Sequence, residues 1–218
     1  MRQSVGKERL RRILRWSQRT LFVSGTLLLG YCAFSLADAW IFQARANRAL
    51  DRLLHEQRAA GASARQMEST VSPEEAPAAE FDGLIGRMEI PRLLLSVVVV
   101  EGVDKTTLRR AVGHIPGTLL PGQPGNVGLA GHRDTFFRPL KDLRIKDEIQ
   151  FSTLKGDFRY EVEWLKVVEP NDVAVLASSG ENVLTLVTCY PFYYVGPAPL
   201  RFIVRARQVS PQTLARGL

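Results

Sequence analysis

Glu181-Asn182-Val183-Leu184-Thr185-Leu186-Val187-Thr188-Cys189-Tyr190-Pro191 sets the reading of this chain. Val183 to Val187 is a β-branched and apolar run whose only polar side chain is Thr185, the pattern of a buried strand. The strand ends on Cys189, and Pro191, which has no amide hydrogen, forbids a simple continuation of the ladder. Residues 190–200 hold three prolines and a glycine and read as a loop. Arg201-Phe202-Ile203-Val204-Arg205-Ala206-Arg207 then alternates apolar and basic residues, as a half-buried strand does. If the two strands are antiparallel neighbours, Cys189 faces Arg201 across the loop mouth on one side of the sheet. A permanent cation beside a thiol favours the thiolate or steadies an oxyanion. The plainer alternatives are a small core hydrophobe at Cys189 and a solvated edge charge at Arg201, like Arg205 and Arg207.

Outward from this hairpin the 218-residue chain is uneven in charge. Arg2, Lys7, Arg9, Arg11, Arg12, Arg15 and Arg19 against Glu8 give +6 in residues 1–19, out of a net +7. The basic excess is therefore one tail and not a face, which argues against a nucleic-acid binder. Thr20 to Ala37 carries no charge, and the apolar stretch 20–42, flanked by Trp16 and Trp40, is long enough to span a membrane. The positive flank predicts a cytoplasmic amino terminus and places everything after residue 42 outside the cytoplasm. A cleaved signal peptide is the rival, because Ala37-Asp38-Ala39 has a small-x-small form. Residues 43–60 are helix formers that extend the anchor, with His55 a solvated surface histidine. Residues 61–80, rich in Gly, Ala, Ser, Pro and Glu, read as a flexible tether that completes the segment 43–80.

From Phe81 the texture changes to short strands punctuated by Gly and Pro. Strands are predicted near 84–91, 93–102, 125–132, 148–153 and 158–168, with one helical turn at 108–112. With the two strands above, this makes seven or more short strands, the pattern of an all-β barrel or sandwich over 81–210, followed by a tail at 211–218. His114 falls in a turn-rich connection, and His132 at the end of a strand entering an irregular segment. Cys189, His114 and His132 with scattered carboxylates lack metal-site spacing, so no metal or other cofactor is expected. Calcium held by Asp142, Asp147, Glu148 and Asp157 is the open alternative to solvated loop charges. Cys32 lies within the apolar span, which leaves Cys189 a free thiol.

Leu129-Ala130-Gly131-His132-Arg133-Asp134-Thr135, then Leu184-Thr185-Leu186-Val187-Thr188-Cys189, then Arg201 on the next strand resembles the sortase family of cysteine transpeptidases. Gly113-His114-Ile115-Pro116-Gly117-Thr118 with Gly125-Asn126 is similar to the family's lead-in to its histidine, and Thr188-Cys189-Tyr190-Pro191 is most like class D. The resemblance covers roughly residues 81–209. It implies a closed sortase-type barrel with Cys189 as nucleophile, His132 as proton donor and acceptor, and Arg201 as electrostatic stabiliser. It gives Thr188 a share in steadying charge or positioning substrate, His114 a supporting place, and the loop opening with Tyr190 and Pro191 a wall of an apolar groove. Implied partners are surface proteins bearing a Leu-Pro-x-Thr-Gly-like signal, cut between Thr and Gly, and an amine acceptor of peptidoglycan or pilin. A cysteine hydrolase of similar signals, an L,D-transpeptidase (whose Ser-His-Gly-Cys text is absent) and a non-catalytic anchored β-domain are the alternatives.

Overall fold

The computed structural model describes residues 2–64, 83–178, 180–194 and 196–209. The expected tether from residue 65 onward and the tail 211–218 lie outside the described residues. A single helix, α1, runs Arg2–Ala64. The chain divides into two compact units, Met1–Ile41 and Phe42–Leu218. In the first, Leu21, Phe22, Leu27, Leu28, Leu29 and Phe34 are all exposed, and the helix is long and apolar enough to cross a membrane.

The second unit is an eight-stranded closed barrel in the order β1-β2-β3-β4-β7-β8-β6-β5. Its strands are β1 Leu84–Ile90, β2 Leu95–Glu101, β3 Val112–His114, β4 Asn126–Ala130, β5 Glu148–Thr153, β6 Gly156–Val168, β7 Val183–Tyr190 and β8 Leu200–Val209. Closure pairs every strand on both sides and removes the edges. Met88, Val97, Val99, Leu129, Phe151, Leu184, Leu186 and Val204 fill the interior, and alternate residues of each strand face outward. Tyr160 is buried in the same core, and desolvation pushes its phenol up to about 12.

Two short elements depart from expectation. The helix α2 is Lys105–Arg110 and not 108–112, because Asp104 caps it. The Asp104 carboxylate accepts from the Thr106 and Thr107 amides and the Thr107 hydroxyl, which holds it below the usual carboxylate range. Val112, expected to end the helical turn, and His114, expected in a turn-rich connection, instead lie in β3, parallel to β2 and antiparallel to β4.

The helical residues just past the apolar span belong to the barrel unit. Phe42, Ala46 and Leu50 share one face of α1, and Ala46 is buried against Val98, Val100 and Ala111 on the outer surface of β2. Gln43 completes the contact with two backbone bonds: its Oε1 accepts from the Val98 amide (2.9 Å) and its Nε2 donates to the Arg110 carbonyl (2.8 Å). Asp51 pairs with Arg87 on β1 at 3.0 Å. So residues 42–51, read from sequence as a plain extension of the anchor, cover one side of the barrel.

Candidate active site

β7 is the centre of the site because it has β4 on one side and β8 on the other. It is antiparallel to β8 in a register that sets Cys189 opposite Arg201 and Thr188 opposite Phe202. It is parallel to β4, Asn126 matching Val183 and Ala130 matching Val187. The Gly131 amide carries the ladder past the end of β4 by donating to the Val187 carbonyl (3.2 Å). The register ends at Ala130 and Val187, and His132 follows two residues on, tied to β7 through Gly131, whose carbonyl accepts from Thr188 Oγ1 (2.7 Å). Histidine, cysteine and arginine thus stand at the same end of three adjacent strands.

Alternation decides which face they occupy. Leu184 and Leu186 point into the core, so Cys189 points outward, in step with Thr185 and Val187. Cys189 and Arg201 are half-buried and His132 is exposed. Next to them the half-buried Ala130 and Val187 form an apolar floor. Further along, Asn126 holds the β6–β7 connection over that floor: its amide donates to the Val175 and Ala177 carbonyls, and it accepts from Thr185 Oγ1. Asn126 was part of the sequence resemblance, but nothing in the pattern showed this fastening.

The segment around His132 is held at several points. Thr188 Oγ1 donates to the Gly131 carbonyl at 2.7 Å, and the His132 carbonyl accepts from the Phe137 amide at 3.0 Å. The ring of Phe137 lies flat enough on Gly131 that an added Cβ would meet its Cδ2 at 2.8 Å, so glycine is required by close approach. Arg133 turns away from the thiol and donates to the carbonyls of Pro191 (3.0 Å), Tyr194 (2.6 Å) and Gly196 (3.0 Å). Arg201 donates through Nη1 to the Ala198 and Leu200 carbonyls.

Several supporting residues have different surroundings from those expected. Thr188 is buried on the core side of β7 and its hydroxyl hydrogen is committed to Gly131, so it fastens the two strands and does not face an oxyanion. Tyr190 shares that inner face. Its ring stacks on Phe202, with Phe192 edge-on, and Phe192 and Phe202 pack against the barrel core. Tyr193 and Tyr194 are the exposed aromatics of the connection. Pro191 contributes its carbonyl to Arg133. His114 is buried on a rung with Leu129, Nδ1 2.8 Å from Glu101 Oε2 and Nε2 3.0 Å from the Leu119 carbonyl, and so is fastened apart from Cys189.

Asp147, one of the carboxylates considered for calcium, is taken by Arg92, whose Nε donates to Oδ1 at 2.6 Å. That hydrogen bond, with a second from the Arg144 amide, holds the Asp147 carboxyl below its ordinary range. Among the described residues no group of three or more His, Cys, Asp or Glu side chains is arranged to hold a metal ion.

An outward thiol on a rung with a guanidinium, at the same end of the sheet as an imidazole, brings together residue types that can add to a carbonyl and protonate a leaving amine. Known proteins resemble this chain over the same region. The family model for the sortase domain matches residues 88–209. Sortase D of Bacillus subtilis is 30% identical over 197 residues, 87% of this chain and 96% of its own. The solved Sortase D5 transpeptidase of Clostridium perfringens superposes with a TM-score of 0.59 at 25% identity, covering 78% of this chain and 99% of that one. Sortase C-1 of Actinomyces oris gives 0.56 at 28% identity over 73% and 99% of the two chains. The chain belongs to the sortase family of cysteine transpeptidases.

Proposed function

We propose that Cys189 is the nucleophile of this sortase, acting with His132 and Arg201 on an extended peptide laid along the outer face of β4 and β7. The observation that supports the reading is the pairing of Cys189 with Arg201 on β8, at the end of β7 that Gly131, the residue before His132, is bonded to. The Cys189 thiolate adds to the scissile carbonyl, and the His132 imidazolium gives its proton to the departing amine. The Arg201 guanidinium, already oriented by two carbonyls, offers its other N–H groups to the developing oxyanion or to a substrate carbonyl. An incoming amine then attacks the thioester and loses a proton to His132, and the Cys189 sulfur leaves as the thiolate, which restores the starting thiolate–imidazolium pair. No cofactor enters this sequence of steps.

The substrate is a surface protein with a Leu-Pro-x-Thr-Gly-like signal, cleaved between Thr and Gly, and the acceptor is an amine of peptidoglycan or of a pilin. The enzyme is anchored through residues 20–42, with the basic residues 1–19 in the cytoplasm and the barrel outside.

The test is intact-mass spectrometry of the full chain in detergent with a small set of Leu-Pro-x-Thr-Gly-type peptides. Residues 42–51 cover the barrel, so a fragment starting at residue 81 is a poorer subject. A peptide adduct on the wild type, absent from Cys189→Ala and His132→Ala, and cleared faster by added amine than by water, is the expected result. An adduct cleared equally fast without amine makes the protein a hydrolase. An adduct retained by Cys189→Ala overturns the assignment.

A further inference from the structure

We propose that Arg133 is a positioning residue: its guanidinium locks the connection between β7 and β8 onto the segment carrying His132, and so fixes the spacing of the reacting pair. The inference rests on the reading of Cys189 as nucleophile and adds to it a residue which that reading does not use. His132 lies between two fastenings to the same stretch of chain. On one side, Gly131 is bonded through both its amide and its carbonyl to Val187 and Thr188. On the other, Arg133 gathers the carbonyls of Pro191, Tyr194 and Gly196, with its guanidinium 5.8 Å from the Tyr194 ring centroid.

The connection so held runs between Tyr190, the last residue of β7, and Leu200, the first of β8. Four of its carbonyls (191, 194, 196 and 198), and that of Leu200 at the start of β8, accept from the two arginines. Lys141, from the turn of 3-10 helix Arg138–Asp142, adds a third cation on the same connection by donating to the Tyr193 hydroxyl at 2.9 Å. A planar guanidinium, with donors in a fixed fork, suits a cluster of carbonyls in a way that an ammonium does not. Without it, the connection can shift, and a shift moves both the thiol at one end and the guanidinium at the other relative to His132.

The experiment compares wild type, Arg133→Lys, Arg133→Ala and Cys189→Ala as full chains in detergent, by steady-state peptide transfer, thermal melting and hydrogen exchange. Arg133→Lys keeps the stem and charge and is expected to melt like the wild type while kcat falls roughly tenfold, with faster exchange of the amides after Pro191. Arg133→Ala is expected to lose up to about a hundredfold in kcat, partly restored by added methylguanidine, with KM changed less than kcat. Wild-type kcat in both arginine variants, or a loss that tracks melting and is not answered by methylguanidine, overturns the inference. Cys189→Ala separates the two readings. If it still transfers peptide, the nucleophile assignment falls. If it is inert while Arg133→Ala is fully active, only the positioning role falls.

Discussion

Replacing Gln43 by alanine is expected to destabilise the barrel unit although the residue is distant in sequence from every strand. Its Oε1 is the acceptor for the Val98 amide, on a residue with no solvent exposure. The pairing of β2 with β3 begins only at Val99, so at Val98 the side chain of Gln43 stands where a strand would. Stranding a buried N–H costs about 1–3 kcal/mol, and losing the bond to the half-buried Arg110 carbonyl, which water can reach, about 1 kcal/mol more. A total near 3 kcal/mol corresponds to a fall in Tm of roughly 6–12 °C for a unit of this size. The assay is thermal unfolding of the full chain in detergent with hydrogen exchange at the Val98 amide. Gln43→Glu is the second variant: it keeps an acceptor for Val98 but sets a carboxylate oxygen against the Arg110 carbonyl, so it should restore slow exchange at Val98 while recovering only part of the loss in Tm. A Tm within about 1 °C of wild type, with Val98 exchanging at the wild-type rate, would refute the reasoning and make the helix a loosely resting segment.

Gly131→Ala should lower kcat/KM about a hundredfold while costing only about 1–3 kcal/mol of stability, because relieving the contact with Phe137 displaces the neighbouring His132. Unchanged kinetics in a folded variant would show that the segment yields elsewhere. Arg92→Met tests the ion pair at Asp147 through pH. The folded carboxyl is held low, so the contribution is present above the unfolded pKa of about 3.9 and is lost as pH falls through the folded value. The difference in unfolding free energy between wild type and Arg92→Met should be flat above about pH 5 and shrink below about pH 4. A difference that grows on acidification would contradict the assignment.

The hairpin of β7 and β8 was legible because its signals are local: a β-branched run, a Pro/Gly loop and a strict alternation fix both faces and the rung of Cys189 and Arg201. The place of His132 was not legible in that way. It depends on a parallel pairing between distant segments, which leaves no periodic mark, and the sequence reached it only through resemblance. β3 escaped notice because three residues, Val112-Gly113-His114, are too few to show a period. The cover by α1 had a signal that went unused, since Phe42, Ala46, Leu50 and Leu54 recur every four residues past the apolar span. The loop aromatics looked alike in sequence. Parity along β7 separates them, sending Tyr190 to the core side with Thr188, and Phe192 folds back onto the same cluster.

The parallel pairing of β4 with β7 also governs when the protein becomes reactive. Gly131 and Thr188, which fasten the histidine segment to the thiol-bearing strand, are 57 residues apart, and β8, which supplies Arg201, is the last of the described strands. Such distant pairings pay their loop-closure cost before they gain any contact energy. During synthesis the histidine emerges first, the cysteine next and the arginine last, and the three meet only as β8 closes the cylinder. A nascent or truncated chain therefore holds the three residues apart. Completing the fold is what brings them to one end of the barrel.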